Sequence, residues 1–199
     1  MSEPLYDFLI TFKTTSLDPL CCSVIGIDAA LLHRKDKKLE KSYSSSVSPF
    51  EEDFDLDMST SEYLGLKGDE EDIRNQLLSW DSADSVFLAL HKLGMYWERP
   101  RLFIWGGFSM IVFERWFEDA YNLFNRNNPN SLLHPKAYKL VNSFSLPAVD
   151  IQSLAIIQLR SQNLRSFGFD SVSKHLSHGK QPHLSRAIEL AQVYRKLDL

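Results

Sequence analysis

The sequence has few cysteines and no long apolar run, and both absences narrow the class of protein. Its 199 residues include two cysteines, Cys21 and Cys22, which are adjacent. Adjacent cysteines rarely pair with each other and there is no Cys-x-x-Cys spacing, so we expect neither a disulfide framework nor a cysteine zinc site. No apolar stretch approaches the ~20 residues that a membrane-spanning helix needs. The first residues lack a basic segment followed by an apolar one, so we expect no secretory signal and a cytoplasmic protein.

Positive charge is scarce in the first half of the chain. Residues 1–100 carry 10 basic and 19 acidic side chains, a net charge of −9, whereas residues 101–199 carry 12 and 7, a net charge of +5. The second half could approach a polyanion and the first half would repel it. We therefore expect a protein partner and no membrane contact. Nucleic acid is the alternative, and a solvated surface without a partner is the simplest interpretation.

Hydrophobic periodicity predicts an α/β protein. Strands are predicted for residues 5–13, 22–32 and 39–48, joined as a meander, and for residues 101–105 and 147–150. Helices are predicted for residues 69–80, 83–93, 108–124, 151–161, 169–177 and 184–196. This order predicts a single α/β domain over residues 1–199, with a mixed sheet, flanking helices and a long acidic loop at about 50–68.

The acidic loop imitates the first half of a calcium-binding loop through Asp53, Asp55 and Asp57. Such a loop also needs a glycine and a closing glutamate, and these positions hold Met58 and Leu64. We therefore expect no calcium site. A solvated acidic loop is the simplest interpretation, and a partner-binding loop or a mimic of nucleic-acid charge is the alternative.

Three segments of the chain, taken in order, resemble the motifs of one enzyme family. Residues 11–19, TFKTTSLDP, resemble a first-strand motif D-x-E-T-T-G-L-D-P. Residues 103–109, FIWGGFS, resemble a second motif, in which a strand and a turn lead to Phe-Asp at the start of a helix. Residues 169–176 and 185–191, FDSVSKHL and SRAIELA, resemble a short helix and a third motif, His-x-Ala-x-x-Asp-Ala. Together the segments resemble the DEDD-type 3′–5′ exonucleases, of the DEDDh group. The resemblance spans nearly the whole chain and implies a ribonuclease-H-like fold.

The residues that do the chemistry in that family are replaced in this chain. The four carboxylates fall on Thr11, Lys13, Ser109 and Leu190, and the histidine falls on Ser185. An ammonium repels a divalent cation, leucine is no ligand, and serine is not a base near neutral pH. The resemblance thus implies a catalytically inactive relative, a pseudo-exonuclease that acts as a protein- or nucleic-acid-binding or scaffolding module. It implies no catalytic residue and no cofactor, and it allows a homodimer.

The alternative is an active exonuclease whose Mg²⁺ or Mn²⁺ ligands have moved to other carboxylates. On a strand, Asp7 would lie ~13 Å from Thr11. Asp18 is expected to stabilise the turn before Pro19, and Asp150 to start a helix. Glu189 would point ~100° away from Leu190 around a helix. None of these four acids is a good replacement ligand, which favours the inactive relative.

Basic side chains could still contact phosphates without cleavage. Around the first and third motifs, the candidates are Lys13, Lys174, His178, Lys180, His183 and Arg186. The histidines lack the spacing of a metal site, so no metal is expected there. A second basic group lies at the predicted hairpin tip and consists of Arg34, Lys35, Lys37 and Lys38. A solvated turn is a simpler interpretation of this group than contact with nucleic acid.

Overall fold

The computed structural model describes residues 5–50, 54, 56, 65–95, 99–129, 144–162, 164, 166–177 and 186–197. Within these ranges the strands are β1 Tyr6–Thr14, β2 Val24–His33, β3 Leu39–Ser46, β4 Arg101–Ile104 and β5 Ser145–Asp150. The helices are α1 Glu70–Leu78, α2 Ala83–Leu90, α3 Gly106–Asn127, α4 Ile151–Leu159, α5 Phe169–Ser177 and α6 Arg186–Lys196. A π-helical turn, His91–Met95, extends α2.

The strands form one mixed sheet in the order β3-β2-β1-β4-β5. β1 and β2 pair antiparallel, as do β2 and β3, which confirms the predicted meander. β1 and β4 pair parallel, as do β4 and β5, and α3 supplies the crossover that the parallel neighbours β4 and β5 need. The predicted mixed sheet with flanking helices is therefore confirmed.

Helices cover both faces of the sheet, and this arrangement explains the composition of its strands. Phe8 and Ile10 of β1 belong to the apolar cluster on the α2–α3 side, whereas Leu9 belongs to the cluster on the α4–α6 side. Every residue of β2 except His33 is buried, as expected for an inner strand covered on both faces. Because side chains alternate along a strand, Thr11 and Lys13 share the face of Leu9.

The helix α3 is longer than its predicted extent of 108–124 and begins at Gly106. Its aromatic side chains Phe113, Trp116 and Phe117 are buried against the sheet. Ile111 is 42% exposed, because it lies at the edge of the buried stripe, one turn before the exposed Arg115. None of the helices in the described ranges has the length and apolar character needed to cross a membrane.

The helix α2 differs at its end from the predicted range of 83–93. The α-helical part stops at Leu90, and the π-helical turn carries the chain through Gly94 to Met95. A π-helical turn bonds residues five apart, so the helical backbone continues beyond the last α-helical residue.

Candidate functional site

The two matched positions on β1 lie on the α4–α6 face of the sheet and carry no negative charge. The Oγ1 atom of Thr11 is buried and has no hydrogen-bond partner among the residues that the structure describes. Lys13 is exposed, and its aliphatic stem lies against Gly26 of β2. A Cβ atom at Gly26 would lie 3.1 Å from Cδ of Lys13, so the glycine makes room for this stem. This strand offers a hydroxyl and an ammonium where a cation site needs carboxylates.

One carboxylate that the sequence analysis missed lies beside these positions. Asp28 of β2 is the Cα partner of Thr11 and is 7% exposed. Directly opposed residues of an antiparallel pair have Cβ atoms about 5 Å apart on the same face. Asp28 Oδ2 accepts a hydrogen bond of 3.3 Å from the backbone N–H of Arg186, at the start of α6. Asp28 therefore stabilises the positive end of that helix dipole and adds one acidic group to the face.

The second motif is held by hydrogen bonds at the β4–α3 junction. Ser109 Oγ donates to the carbonyl of Trp105 at 2.8 Å, so this hydroxyl is already used within the first turn of α3. Gly106 has φ of +77°, and its N–H donates to Oδ1 of Asp150 at 2.9 Å. Asp150 also accepts from the backbone N–H of Gln152 and from Oγ of Ser153, which confirms its predicted role as a helix start. Asp150 thus joins the start of α3 to the start of α4.

The third motif places a leucine in the core. Leu190 is 0% exposed and belongs to the apolar cluster between the sheet and α4–α6, together with Leu9 and Ala187. A carboxylate at this position would be buried among apolar side chains, which is costly unless a cation pairs with it. The position matched to the family's histidine, Ser185, lies outside the described residues.

The described basic candidates differ in how far their charge is already compensated. Arg186 forms ion pairs with Asp170 and Glu189, at 2.5 and 3.2 Å, and its guanidinium lies over the ring of Phe169. Lys174 is exposed on α5. The remaining candidates, His178, Lys180 and His183, lie outside the described residues, as does the acidic triplet 53, 55 and 57. Phosphate contact by these side chains stays a prediction.

The basic hairpin tip between β2 and β3 packs against the end of α6. Lys37 has φ of +53°, and its ammonium lies 4.6 Å from the centre of the Tyr194 ring. Its Nζ donates to the carbonyl of Leu197, and Arg195 Nε donates to the carbonyl of Lys37 at 2.8 Å. At least one cation of this group therefore has a structural role within the chain.

Asp7 and Asp18, two further candidates for relocated ligands, also have other roles in the structure. Asp7 is fully buried near the opposite end of β1, where Arg101 Nε and the Tyr194 hydroxyl donate to its carboxylate at 2.8 and 2.7 Å. Burial, and after it the hydrogen bond to Asp7, raise the pKa of Tyr194 well above its ordinary value. Asp18 Oδ1 accepts from the N–H of Leu20 at 2.9 Å, which confirms the predicted turn.

The described residues do not fit a pair of divalent cations. Magnesium takes about six oxygen ligands, and two-ion catalysis holds both ions with shared carboxylates. In the part of the chain that the structure describes, no three His, Cys, Asp or Glu side chains group closely enough to hold a metal ion. Among the described residues, Asp28 lies opposite Thr11, with the ammonium of Lys13 on the same face. The other carboxylates near the matched positions already have partners: Asp150 accepts from Gly106, and Asp170 and Glu189 pair with Arg186.

Comparisons with known proteins give the fold. No protein-family model matches the chain, and no curated protein matches its sequence. Among solved structures, apo Exonuclease I is similar with a TM-score of 0.63 and 9% identity, over 98% of this chain and 42% of that chain. A 3′-exonuclease, from a structure of 3′-end-specific recognition of a histone mRNA stem-loop, has a TM-score of 0.60 and 15% identity. The match covers 99% of this chain and 81% of that chain. A full-length 3′-exonuclease has a TM-score of 0.60 and 17% identity, over 97% and 81%.

The chain spans less than half the length of the Exonuclease I chain that it matches. At 9–17% identity these similarities show the fold alone. The predicted fold class is confirmed: the chain has a ribonuclease-H-like α/β fold like that of the exonucleases.

Proposed function

We propose that this chain is a catalytically inactive, exonuclease-like protein that serves as an interaction module for another protein. One observation carries the proposal: the described positions that match the family's metal-binding carboxylates are two hydroxyls, an ammonium and a buried leucine, namely Thr11, Ser109, Lys13 and Leu190. Phosphoryl cleavage with two ions depends on those carboxylates both to hold the ions and to balance their charge. Without them the face can bind a partner but cannot assemble the reaction.

The charges beside these positions support a protein partner. Arg186 is paired with two carboxylates, and Asp28 lies next to Thr11 on the same face. A phosphate would have to compete with Asp170 and Glu189 for the guanidinium and would be repelled by Asp28. A protein surface with both signs of charge does not meet this penalty.

An active exonuclease with relocated ligands has one observation in its favour. The carboxylate of Asp28 lies beside Oγ1 of Thr11, which has no hydrogen-bond partner in the described part of the chain. One carboxylate does not hold two ions. The other described carboxylates near the motifs, Asp150 and Glu189, are engaged by Gly106 and Arg186 and would have to give up those contacts to serve as ligands.

A nuclease assay separates these functions. The purified protein is incubated with 5′-labelled single-stranded DNA or RNA and Mg²⁺ or Mn²⁺, with and without a chelator. We expect no shortening of either strand. Metal-dependent trimming from the 3′ end that the chelator abolishes would overturn the proposal. Retardation of the strand on a gel without trimming would make nucleic acid, rather than protein, the partner.

A gain-of-binding variant tests whether the β1 positions are the former cation site. The double variant Thr11→Asp/Lys13→Glu would place three carboxylates, including Asp28, on one face of β1 and β2. We expect it to bind Mn²⁺, measured as loss of the free-ion signal in electron paramagnetic resonance. Lys35→Glu/Ser85→Asp, at exposed positions, makes the same change of formal charge and is the matched control. Equal Mn²⁺ binding by both variants would contradict the assignment of this site.

A further inference from the structure

The hairpin between β2 and β3 and the end of α6 form one basic surface, which we call the basic end and define as residues 33–41 and 195–196. These residues carry seven basic and two acidic side chains, a net charge of +5. The whole chain has a net charge of −4, so the rest of it carries −9. Positive charge is therefore concentrated at one place in an otherwise acidic chain, and such a concentration attracts anionic partners.

Hydrogen bonds hold the two segments of the basic end together. Arg195 Nε donates to the carbonyl of Lys37 at 2.8 Å, and Lys37 Nζ donates to the carbonyl of Leu197 at 3.5 Å. The ammonium of Lys37 also lies over the buried ring of Tyr194. The fold thus joins cations that are 158 residues apart in the sequence. A surface that is already ordered in this way loses less conformational entropy when a partner binds.

The exposed cations of the basic end are not neutralised within the part of the chain that the structure describes. Asp36, the acid at the hairpin tip, lies 3.0 Å from His33 Nδ1 and accepts from the backbone N–H of Lys38 at 3.1 Å. Five exposed cations form no ion pair among the described residues: Lys35, Lys38, Lys41, Arg195 and Lys196. Crowded like charges repel one another, and an anionic partner would relieve this repulsion.

An acidic protein segment suits the basic end better than a nucleic acid does. A DNA duplex carries one charge per ~1.7 Å and would extend beyond the basic end onto a chain whose remaining net charge is −9. Single strands are bound with the help of aromatic rings that stack on bases, and Tyr194, the ring beneath Lys37, is only 2% exposed. A short segment with several carboxylates can stay within the basic end and needs no stacking.

The basic end is separate from the positions that match the family's metal ligands. His33 is the Cα partner of Tyr6, the first residue of β1. Thr11 lies five residues further along that strand, or ~17 Å at the usual rise of a strand. A partner at the basic end would therefore leave the face around Thr11 and Lys13 accessible.

We propose that the basic end docks an acidic segment of a partner protein, whose carboxylates pair with the exposed lysines of the hairpin and the end of α6. The inference rests on the proposed role as an interaction module, and it adds the surface used and the chemistry of the partner. The two proposals fail separately. Nuclease activity together with peptide binding would refute only the proposed function, and absence of both would refute only the docking surface.

The test uses a fluorescein-labelled peptide of alternating glutamate and serine, titrated with the whole protein in fluorescence anisotropy. We expect saturable binding that becomes roughly tenfold weaker when glutamine replaces glutamate, and that weakens as the salt concentration rises from about 50 to about 200 mM. Absence of saturable binding, or equal binding of the glutamine peptide, would overturn the proposal. If unlabelled DNA displaces the labelled peptide at a lower concentration of charge than unlabelled peptide does, a nucleic acid is the occupant and the proposal is also overturned.

Surface variants connect this binding to the basic end. Lys35→Gln/Lys38→Gln removes two exposed charges from the hairpin and should weaken peptide binding roughly fivefold. Lys67→Glu, at an exposed position before α1, makes the same change of formal charge and is the matched control, with binding expected to stay unchanged. Equal losses in the two variants would show that binding follows the net charge of the whole chain, and this result would contradict a docking surface at the basic end.

Discussion

The buried ion pair of Asp7 gives a stability prediction whose size follows from the structure. Asp7 is 0% exposed and receives hydrogen bonds from Arg101 Nε, Arg101 Nη2 and the Tyr194 hydroxyl, at 2.8, 3.1 and 2.7 Å. Asp7→Asn keeps the shape of the side chain but leaves the guanidinium without a counter-charge. Breaking a buried pair costs about 3–5 kcal/mol, and we expect about 3 kcal/mol, since the Arg101 side chain is 28% exposed and keeps some hydration.

This cost is measurable as a thermal shift and as a change in urea unfolding. For a chain of this length, about 1 kcal/mol lowers the Tm by about 2–4 °C, so Asp7→Asn should lower it by about 6–12 °C. The exposed Glu118→Gln is the control and should change stability by less than about 0.5 kcal/mol. Circular dichroism at 222 nm follows both transitions, and an unchanged urea m-value would show that only stability has changed.

A triple variant separates loss of pairing from loss of packing. Asp7→Leu/Arg101→Met/Tyr194→Phe removes the whole polar group and leaves no buried charge unpaired, so it should be within about 1 kcal/mol of the original chain. If Asp7→Asn lowers the Tm by less than about 2 °C, or the triple variant is no more stable than Asp7→Asn, the reasoning fails.

Three further predictions concern pH and packing. Burial lowers the pKa of His91 below its ordinary value of 6.5, so the neutral imidazole contributes to the free energy of unfolding above that pH. This contribution is lost as the pH falls. In urea titrations, the free energy of unfolding of His91→Gln should therefore decrease less between pH 7.5 and pH 5 than that of the original chain. The pKa of Tyr194 is raised above 10.0, chiefly by burial, so stability should decline as the pH rises past 10.0, and Tyr194→Phe should show a smaller decline. Gly26→Ala brings a Cβ atom close to the aliphatic stem of Lys13. In a double-mutant cycle with Lys13→Ala, the effects on the free energy of unfolding should therefore be coupled by about 0.5–1 kcal/mol. Purely additive effects would argue against that contact.

Most of the fold could be predicted from the sequence because burial on both faces imposes local periodicity. The alternation of Phe8 and Ile10 with Leu9 and the apolar run of β2 follow directly from a covered sheet. Element ends were less predictable. The helix α3 starts two residues before its predicted start, at a glycine with positive φ whose N–H bonds Asp150, a residue distant in the sequence.

The elements that carry the matched positions could also be predicted, since the ordered motifs fall on β1, α3 and α6. The role of these positions stays a prediction. The neighbourhood of Asp28 could not, because the strand register that places it opposite Thr11 is a long-range property. The acid inside an apolar strand run, GIDAAL, is the one signal that could have drawn attention to Asp28.

Under the proposed function, the burial of Leu190 separates the recovery of a cation site from the recovery of its full ligand set. An aspartate at this position would have to tolerate an apolar environment without a compensating ion as long as Thr11 and Lys13 hold none. Acids on β1 would join Asp28 in a site that still has no carboxylate from α6 at the position of Leu190. A complete set of ligands would therefore need changes on a strand and on a buried helix face together.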